Sequence, residues 1–325
     1  MCTSIAMQQG GGYFGRNLDL EYSFGEQVAV TPRRYPLRFH RQPAMEHHLA
    51  LIGMAHVTGG CPLYAEAMNE KGLYMAGLNF PGNAWYDPDP PADCDAVAPY
   101  ELIPWVLGSC ATLEQARARL ARFRPLGVPF APGLPLSPLH WHIADPTGAL
   151  VLEATREGVF LYDDPVGVLT NNPPFPFHRA NLCQYQGLSP RPAENRMAPG
   201  LSLPPFGQGM GAVGLPGDFS PASRYVKAAF LKLNSSDPGS EEERAVQFFH
   251  LLEGVAMVRG SVVTPEGRED ITTYSCCISA GSGVYYYKTY GNSRITAVRL
   301  AGDGLDGDAL TLYPLQNGPD IRFEN

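Results

Sequence analysis

The feature that most constrains this chain is its opening stretch, MCTSIAMQQGGGYFGRNLD, in which a cysteine stands second. Removal of Met1 would leave Cys2 with a free α-amine on the carbon that carries its thiol side chain. A nucleophile and a candidate base would then share one residue. The amine has an ordinary pKa of about 7.7–8.0 and the thiol about 8.5. The amine is therefore partly neutral near pH 7 and can take the thiol proton, and in its ionised form it favours the thiolate, the species that attacks. The apolar run Thr3 to Met7, the turn Gly10-Gly11-Gly12 and the second run Tyr13 to Leu20 predict a β-hairpin. Its return strand carries Arg16, Asn17 and Asp19 back past Cys2. On a strand Asn17 and Asp19 share one face and Arg16 takes the other, unless a bulge intervenes. Arg16 would add positive potential, and Asp19 would hold the amine. The competing reading is an ordinary cysteine behind a retained Met1.

The remaining composition supplies a scaffold. The 325 residues are 44% hydrophobic and 17% charged, which describes a globular chain with material for a large core. A net charge of −8 without like-charge blocks argues against a nucleic-acid footprint, which would be a basic patch. No stretch approaches the roughly 18 apolar residues that span a bilayer. The N-terminus has no basic region followed by an apolar one, so the expected location is cytoplasmic. Seven cysteines, odd in number and scattered, fit a reducing compartment rather than a disulfide framework.

Short β-like runs at 28–31, 37–39, 49–52 and 73–76 make the first part strand-rich. Tyr100 to Leu107 has helical spacing, and Thr112 with Gln115 opens a helix to about Phe123. Five prolines and two glycines make 124–138 a long loop. Strands are expected at 140–144, 149–154, 158–162 and 166–170, followed by Asn171-Asn172-Pro173-Pro174. Residues 184–219 form a second Pro/Gly-rich excursion. Ser220 followed by Pro221 opens a helix to about Leu233, and Ser240 with Glu243 opens another to about Gly254. Strands at 272–279, 284–289 and 295–299 close the chain, the last two as a hairpin. Strands and helix pairs come in blocks, without an internal repeat or a linker-like division. The expectation is one α+β domain of two sheets with helices outside, rather than βαβ units.

Other motifs were weighed against ordinary structural roles. Gly209-Met210-Gly211-Ala212-Val213-Gly214 has the spacing GxGxxG, but no strand precedes it and no helix follows, so it reads as a loop. His140 and His142 share a strand face, yet lack the further ligands of a zinc site and read as packed or exposed structural histidines. Asn79, Asn171 and Asn172 each follow an apolar run and lie just before a proline. They fit turns, or donors for an oxyanion.

The ordered blocks MCTSIAM, YFGRNLDLEYSFGE, NEKGLYMAGLNFPGNAWY, GVLTNNPPF and GLPGDFSPASRYVKAAF resemble bile salt hydrolases of the choloylglycine hydrolase family. These are N-terminal-nucleophile enzymes, and the family also contains penicillin V acylases. The resemblance runs through nearly the whole chain. It implies a four-layer αββα sandwich, loss of Met1 and Cys2 as nucleophile. It places Arg16 and Asp19 beside the amine, Asn171 in the oxyanion hole and Arg224 beside the nucleophile. Asn79 falls where bile salt hydrolases carry asparagine and penicillin V acylases typically carry tyrosine. The 184–219 excursion resembles the loop through which family members form homotetramers.

The implied reaction is hydrolysis of glycine- or taurine-conjugated bile salts, with no cofactor or metal. A rigid apolar substrate needs apolar walls, for which Leu18, Tyr22, Phe24, Leu63, Phe80, Phe130, Leu134 and Leu136 are candidates, from the hairpin and the loops at 59–66, 79–88 and 126–138. The alternatives are a penicillin V acylase or other N-acyl amide hydrolase, and a catalytically silent binding module that retains Met1.

Overall fold

The opening hairpin forms as expected, from β1 (Cys2–Met7) and β2 (Tyr13–Leu20) around a glycine turn. Gly10, Gly11 and Gly12 all have positive φ, a backbone that other residues adopt only with strain. The computed structural model describes residues 1–325, apart from the side chain of Asp303. The hairpin does not sit at a surface. Both its strands are buried almost throughout, because it lies inside a stack of layers.

The chain continues through β3 (Gln27–Thr31), β4 (Leu51–Thr58), β5 (Cys61–Asn69), β6 (Tyr74–Asn79) and β7 (Asp95–Val97). Then come α1 (Leu102–Ser109), α2 (Leu113–Leu120), β8 (Phe123–Pro125), β9 (Leu139–Asp145), β10 (Gly148–Thr155), β11 (Gly158–Asp163) and β12 (Val168–Leu169). The last part holds α3 (Phe175–Asn181), α4 (Pro221–Leu233), α5 (Glu241–Glu253), β13 (Ile271–Ser279), β14 (Val284–Thr289), β15 (Asn292–Arg299) and β16 (Thr311–Pro314).

Two antiparallel sheets result. The first runs β12-β1-β2-β13-β14-β15, and the second β11-β10-β9-β6-β5-β4-β3-β16. Helices α4 and α5 cover the first sheet, and α1 and α2 cover the second. This is the four-layer αββα sandwich, of the α+β class.

Local signals explain the helix ends. Ser240 accepts from the Glu243 N–H while the Glu243 carboxylate accepts from the Ser240 N–H, a reciprocal box that satisfies two otherwise free donors. Below it, α5 turns Phe248, Phe249, Leu251 and Leu252 onto the first sheet. Each such apolar side chain contributes about 1.5–3 kcal/mol by leaving water. Ser220 caps α4 with Pro221 in the first turn, where the missing N–H costs nothing. Thr112 caps α2, but the Gln115 side chain reaches Ala111 N instead of closing a box, and the helix stops at Leu120 rather than Phe123.

Some elements depart from the sequence expectation. Residues 61–69 form β5 rather than the loop expected at 59–66, paired on both sides within the second sheet. A bulge in its register with β4 obscures the alternation that would announce a strand. Leu37 makes only an isolated bridge to Met45 instead of a strand. Helix α3 and strand β16 also appear without a sequence signal, and the 124–138 loop opens with β8, parallel to β7.

Candidate active site

The site is built where the first strand of the hairpin meets its neighbours. Cys2 pairs with Leu18 across the hairpin, and β1 is flanked on its other side by β12, which leads directly to Thr170 and Asn171. Cys2 is therefore held between the two strands from which Asp19 and Asn171 emerge. Alternation along the strands sorts the polar residues. Arg16 faces the second sheet, donating to Gly77 O at 2.6 Å and Ala65 O at 3.2 Å. Asn17 points to the helical side, donating to Leu252 O at 2.8 Å. Asp19 lies on that side too, accepting from Thr272 Oγ1 at 2.6 Å, near Arg224 Nη1 at 3.9 Å.

Asn171 links these parts. Its side-chain Oδ1 accepts from Cys2 N at 2.9 Å and from Arg224 Nη2 at 2.7 Å, and its Nδ2 donates to Asn79 O at 2.7 Å. Two donors on one end and a carbonyl on the other leave only one orientation for this amide. Arg224 also donates to Cys2 O at 2.5 Å, Thr3 Oγ1 at 2.6 Å and Phe219 O at 2.9 Å. Its guanidinium thus grips the backbone of the first strand from α4. Met1 completes the ladder: its N donates to Asp19 O at 2.5 Å and its O accepts from Asp19 N at 2.9 Å.

Buried charge dominates the electrostatics. Burial works against the charge of Arg16, but Cys2, Tyr274, Glu66 and Tyr74 outweigh it and hold the proton more firmly than usual. Burial lowers Arg224 and raises Asp19, the latter against the pull of Arg224. Asp19 Oδ2 and Arg16 Nη2 have no hydrogen-bond partner among the described residues. Unmet buried groups of this kind are costly and call for a partner. Among the described residues no cluster of three metal-ligating side chains occurs, and no helix is long and apolar enough to cross a membrane.

Residues 2–313 match the family described as linear amide C–N hydrolases, choloylglycine hydrolase family. The chain belongs to the choloylglycine hydrolase family. It is 44% identical over 317 residues to the bile salt hydrolase/transferase of Lactiplantibacillus plantarum, covering 98% of each chain. It is 38% identical over 329 residues to that of Clostridium perfringens, covering 100% of both. Among solved structures, the C2A mutant of the conjugated bile acid hydrolase from Clostridium perfringens superposes with a TM-score of 0.92 at 37% identity over 100% of both chains. The penicillin V acylase of Agrobacterium tumefaciens shares the fold, with a TM-score of 0.76 at 18% identity over 97% of this chain and 92% of that one.

As a choloylglycine hydrolase family member, the chain is an amide hydrolase, and the fold brings Arg16, Asp19, Asn171 and Arg224 together near Cys2, with the Asn79 backbone oxygen held by Asn171. The apolar candidates are more scattered. Leu18 is buried opposite Cys2, and Phe24 packs on the core. Leu63 is half-buried on β5, and Phe130 stands edge-on to Tyr100 at 5.3 Å. Leu136 is half-buried, whereas Tyr22 and Leu134 are exposed. Phe80 has no exposed surface and lies flat on His140 at 4.3 Å, so it supports the site from below.

Sequence reasoning missed His178 beside Asn171 and the partners that hold His140 and His142. His178 Nε2 donates to Asn171 O at 2.9 Å, and its ring stacks on Tyr225. Burial lowers its pKa below the usual imidazole value. The partners of His140 and His142 are remote in sequence and left no local signal.

Proposed function

We propose that this protein hydrolyses the amide bond of glycine- or taurine-conjugated bile salts, with Cys2 as nucleophile after Met1 is removed. The full-length likeness to relatives named bile salt hydrolases supports the substrate class. The observation that carries the chemistry is the Asn171 amide, whose oxygen lies 2.9 Å from Cys2 N. With Met1 in place that nitrogen is a peptide amide and cannot act as a base. Once freed, the amine stays on the Asn171 oxygen, and Asp19 Oδ2, which has no hydrogen-bond partner, is the candidate to accept from it.

The steps follow. The amine takes the thiol proton, and Arg16 stabilises the thiolate from within the sandwich. The thiolate attacks the amide carbonyl carbon, and the carbonyl oxygen becomes the oxyanion. The second Asn171 Nδ2 hydrogen, the one not used on Asn79 O, is a donor for it, with Asn79 supplying another. The Cys2 ammonium passes its proton to the nitrogen of glycine or taurine as the C–N bond breaks. Water, deprotonated by the same amine, then cleaves the thioester and restores the thiol. Arg224 and Asp19 act by fixing the backbone of the first strand and the amine. The apolar candidates Leu18, Tyr22, Phe24, Leu63, Phe130, Leu134 and Leu136 would contact the steroid, with Phe80 behind them.

The whole chain, 1–325, is read as one domain, with 184–219 as the contact through which four copies associate in the cytoplasm. Exposed Met197, Phe206 and Val213 support that use of the excursion. The test is release of glycine or taurine from conjugated bile salts by wild type and Cys2→Ala, beside penicillin V. The wild type should release the amino acid and Cys2→Ala should not. Faster turnover of penicillin V would replace the proposed substrate.

A further inference from the structure

We infer that His140 and Glu153 are positioning residues for the reaction at Cys2, acting through the segment that presents Asn171. This rests on the reading of Asn171 above. His140 lies on β9 of the second sheet, fully buried between the layers. Its Nε2 donates to Thr170 O at 3.0 Å, the carbonyl just before Asn171. Its Nδ1 lies 3.1 Å from Glu153 Oε1 on the neighbouring strand β10. The same Glu153 oxygen accepts from Phe175 N at 2.9 Å. One buried pair therefore holds the loop on both sides of Asn171. The flat stack of Phe80 on the His140 ring adds the Asn79 strand to the same support.

Proton counting makes the pair a unit. Thr170 O accepts only, so Nε2 carries a hydrogen. Glu153 Oε1 and Nδ1 face each other, so one more proton lies between them. The pair is satisfied on every face the loop uses, which rigidifies a buried network. Losing either member leaves the facing atom of the other, His140 Nδ1 or Glu153 Oε1, without its buried partner.

The other end of the segment is held by Asp164, near which His142 Nε2 makes no hydrogen bond. His142, two residues along the same strand face, bonds Ser4 Oγ through Nδ1 at 2.9 Å and places Nε2 3.3 Å from Asp164 Oδ2. Asp164 accepts from the N–H groups of Val166, Gly167 and Val168 at 3.0, 2.8 and 2.9 Å. That turn sets β12 against β1. His140 thus pins the Asn171 end of the segment and Asp164 the other, with His142 tied to the first strand through Ser4.

A double-mutant cycle with Asn171 tests this, because residues that act through one another are not additive. His140→Phe keeps the ring and the stack but loses both hydrogen bonds. Glu153→Gln keeps the shape and leaves a backup if His140→Phe does not fold, with thermal melting as the check. Both are measured alone and with Asn171→Ala, in chains shown by intact mass to lack Met1. The first readout needs no bile salt: acylation of Cys2 by p-nitrophenyl acetate, in which the thiolate takes the acetyl group and p-nitrophenolate leaves, corrected by the rate of Cys2→Ala. The second is kcat and KM on conjugated bile salts.

The expected result is a loss of up to about 10²-fold in acylation rate and kcat, with KM unchanged. That loss should vanish in the Asn171→Ala background. An equal loss in that background, or full activity in a folded variant, overturns the inference. A wild type that is acylated by the ester but leaves bile salts intact removes the proposed substrate, while the ester cycle still decides the role of His140.

Discussion

Residue by residue, the site spends its hydrogen bonds on holding a backbone nitrogen. Asn171 uses its oxygen twice and one amide hydrogen once, leaving a single hydrogen for chemistry. Asn171→Ala should therefore fold and lose roughly 10²–10³ in kcat, since one oxyanion donor is removed. Steady-state kinetics beside a thermal melt checks both halves. His178 gives a pH prediction. Its folded pKa lies below the unfolded value, so its contribution to stability is full above the unfolded pKa, about 6.5, and is lost as pH falls through the folded one. Asp19 and Glu66, raised by burial, have the opposite sign, so the comparison must be with a variant. Melting temperatures of wild type and His178→Gln should draw together as pH falls below about 6. Parallel curves would remove His178 from the balance. At this scale the placement of Cys2, Arg16 and Asp19 on one hairpin was legible because a hairpin is local. The roles of His140 and Glu153 were not, because the register that makes them neighbours is set by sheet pairing.

Among the elements, capping residues marked the starts of α2, α4 and α5. Ser240→Ala breaks the reciprocal box on α5 far from the site, and should cost about 1 kcal/mol in urea unfolding with unchanged kcat. A change in kcat would mean that α5 reaches the site through Leu252 and Asn17. The sheet order was hidden for a physical reason. β2 carries Arg16, Asn17 and Asp19 in a fully buried strand, so its polarity says nothing about exposure. Gly15 in the same strand allows the closest approach: a Cβ there would lie 2.0 Å from Cys276 O. Such a glycine reads from sequence as a strand breaker, although here it is what lets β13 pair. Helix α3 was missed because the prolines before it read as loop and it is only seven residues long.

For the whole molecule, the layers were implied by the block order of strands and helices, and the family resemblance supplied their number. The excursion at 184–219 places Phe206 and Met197 almost wholly in water, a costly exposure for an isolated chain. Sedimentation should give a four-copy mass for the wild type, and Met197→Asp with Phe206→Asp should shift it to smaller species. An unchanged mass would locate the contact elsewhere.

The ladder between Met1 and Asp19 has a practical consequence. In the reading proposed above, the chain that keeps Met1 already holds the Cys2 nitrogen on Asn171, so removal of Met1 would free an amine whose surroundings are in place. On that reading, an N-terminal purification tag or leader left in place would give a folded but inactive preparation. Recombinant work on this protein should therefore carry its tag at the C-terminus, where residues 315–325 lie outside the sheets.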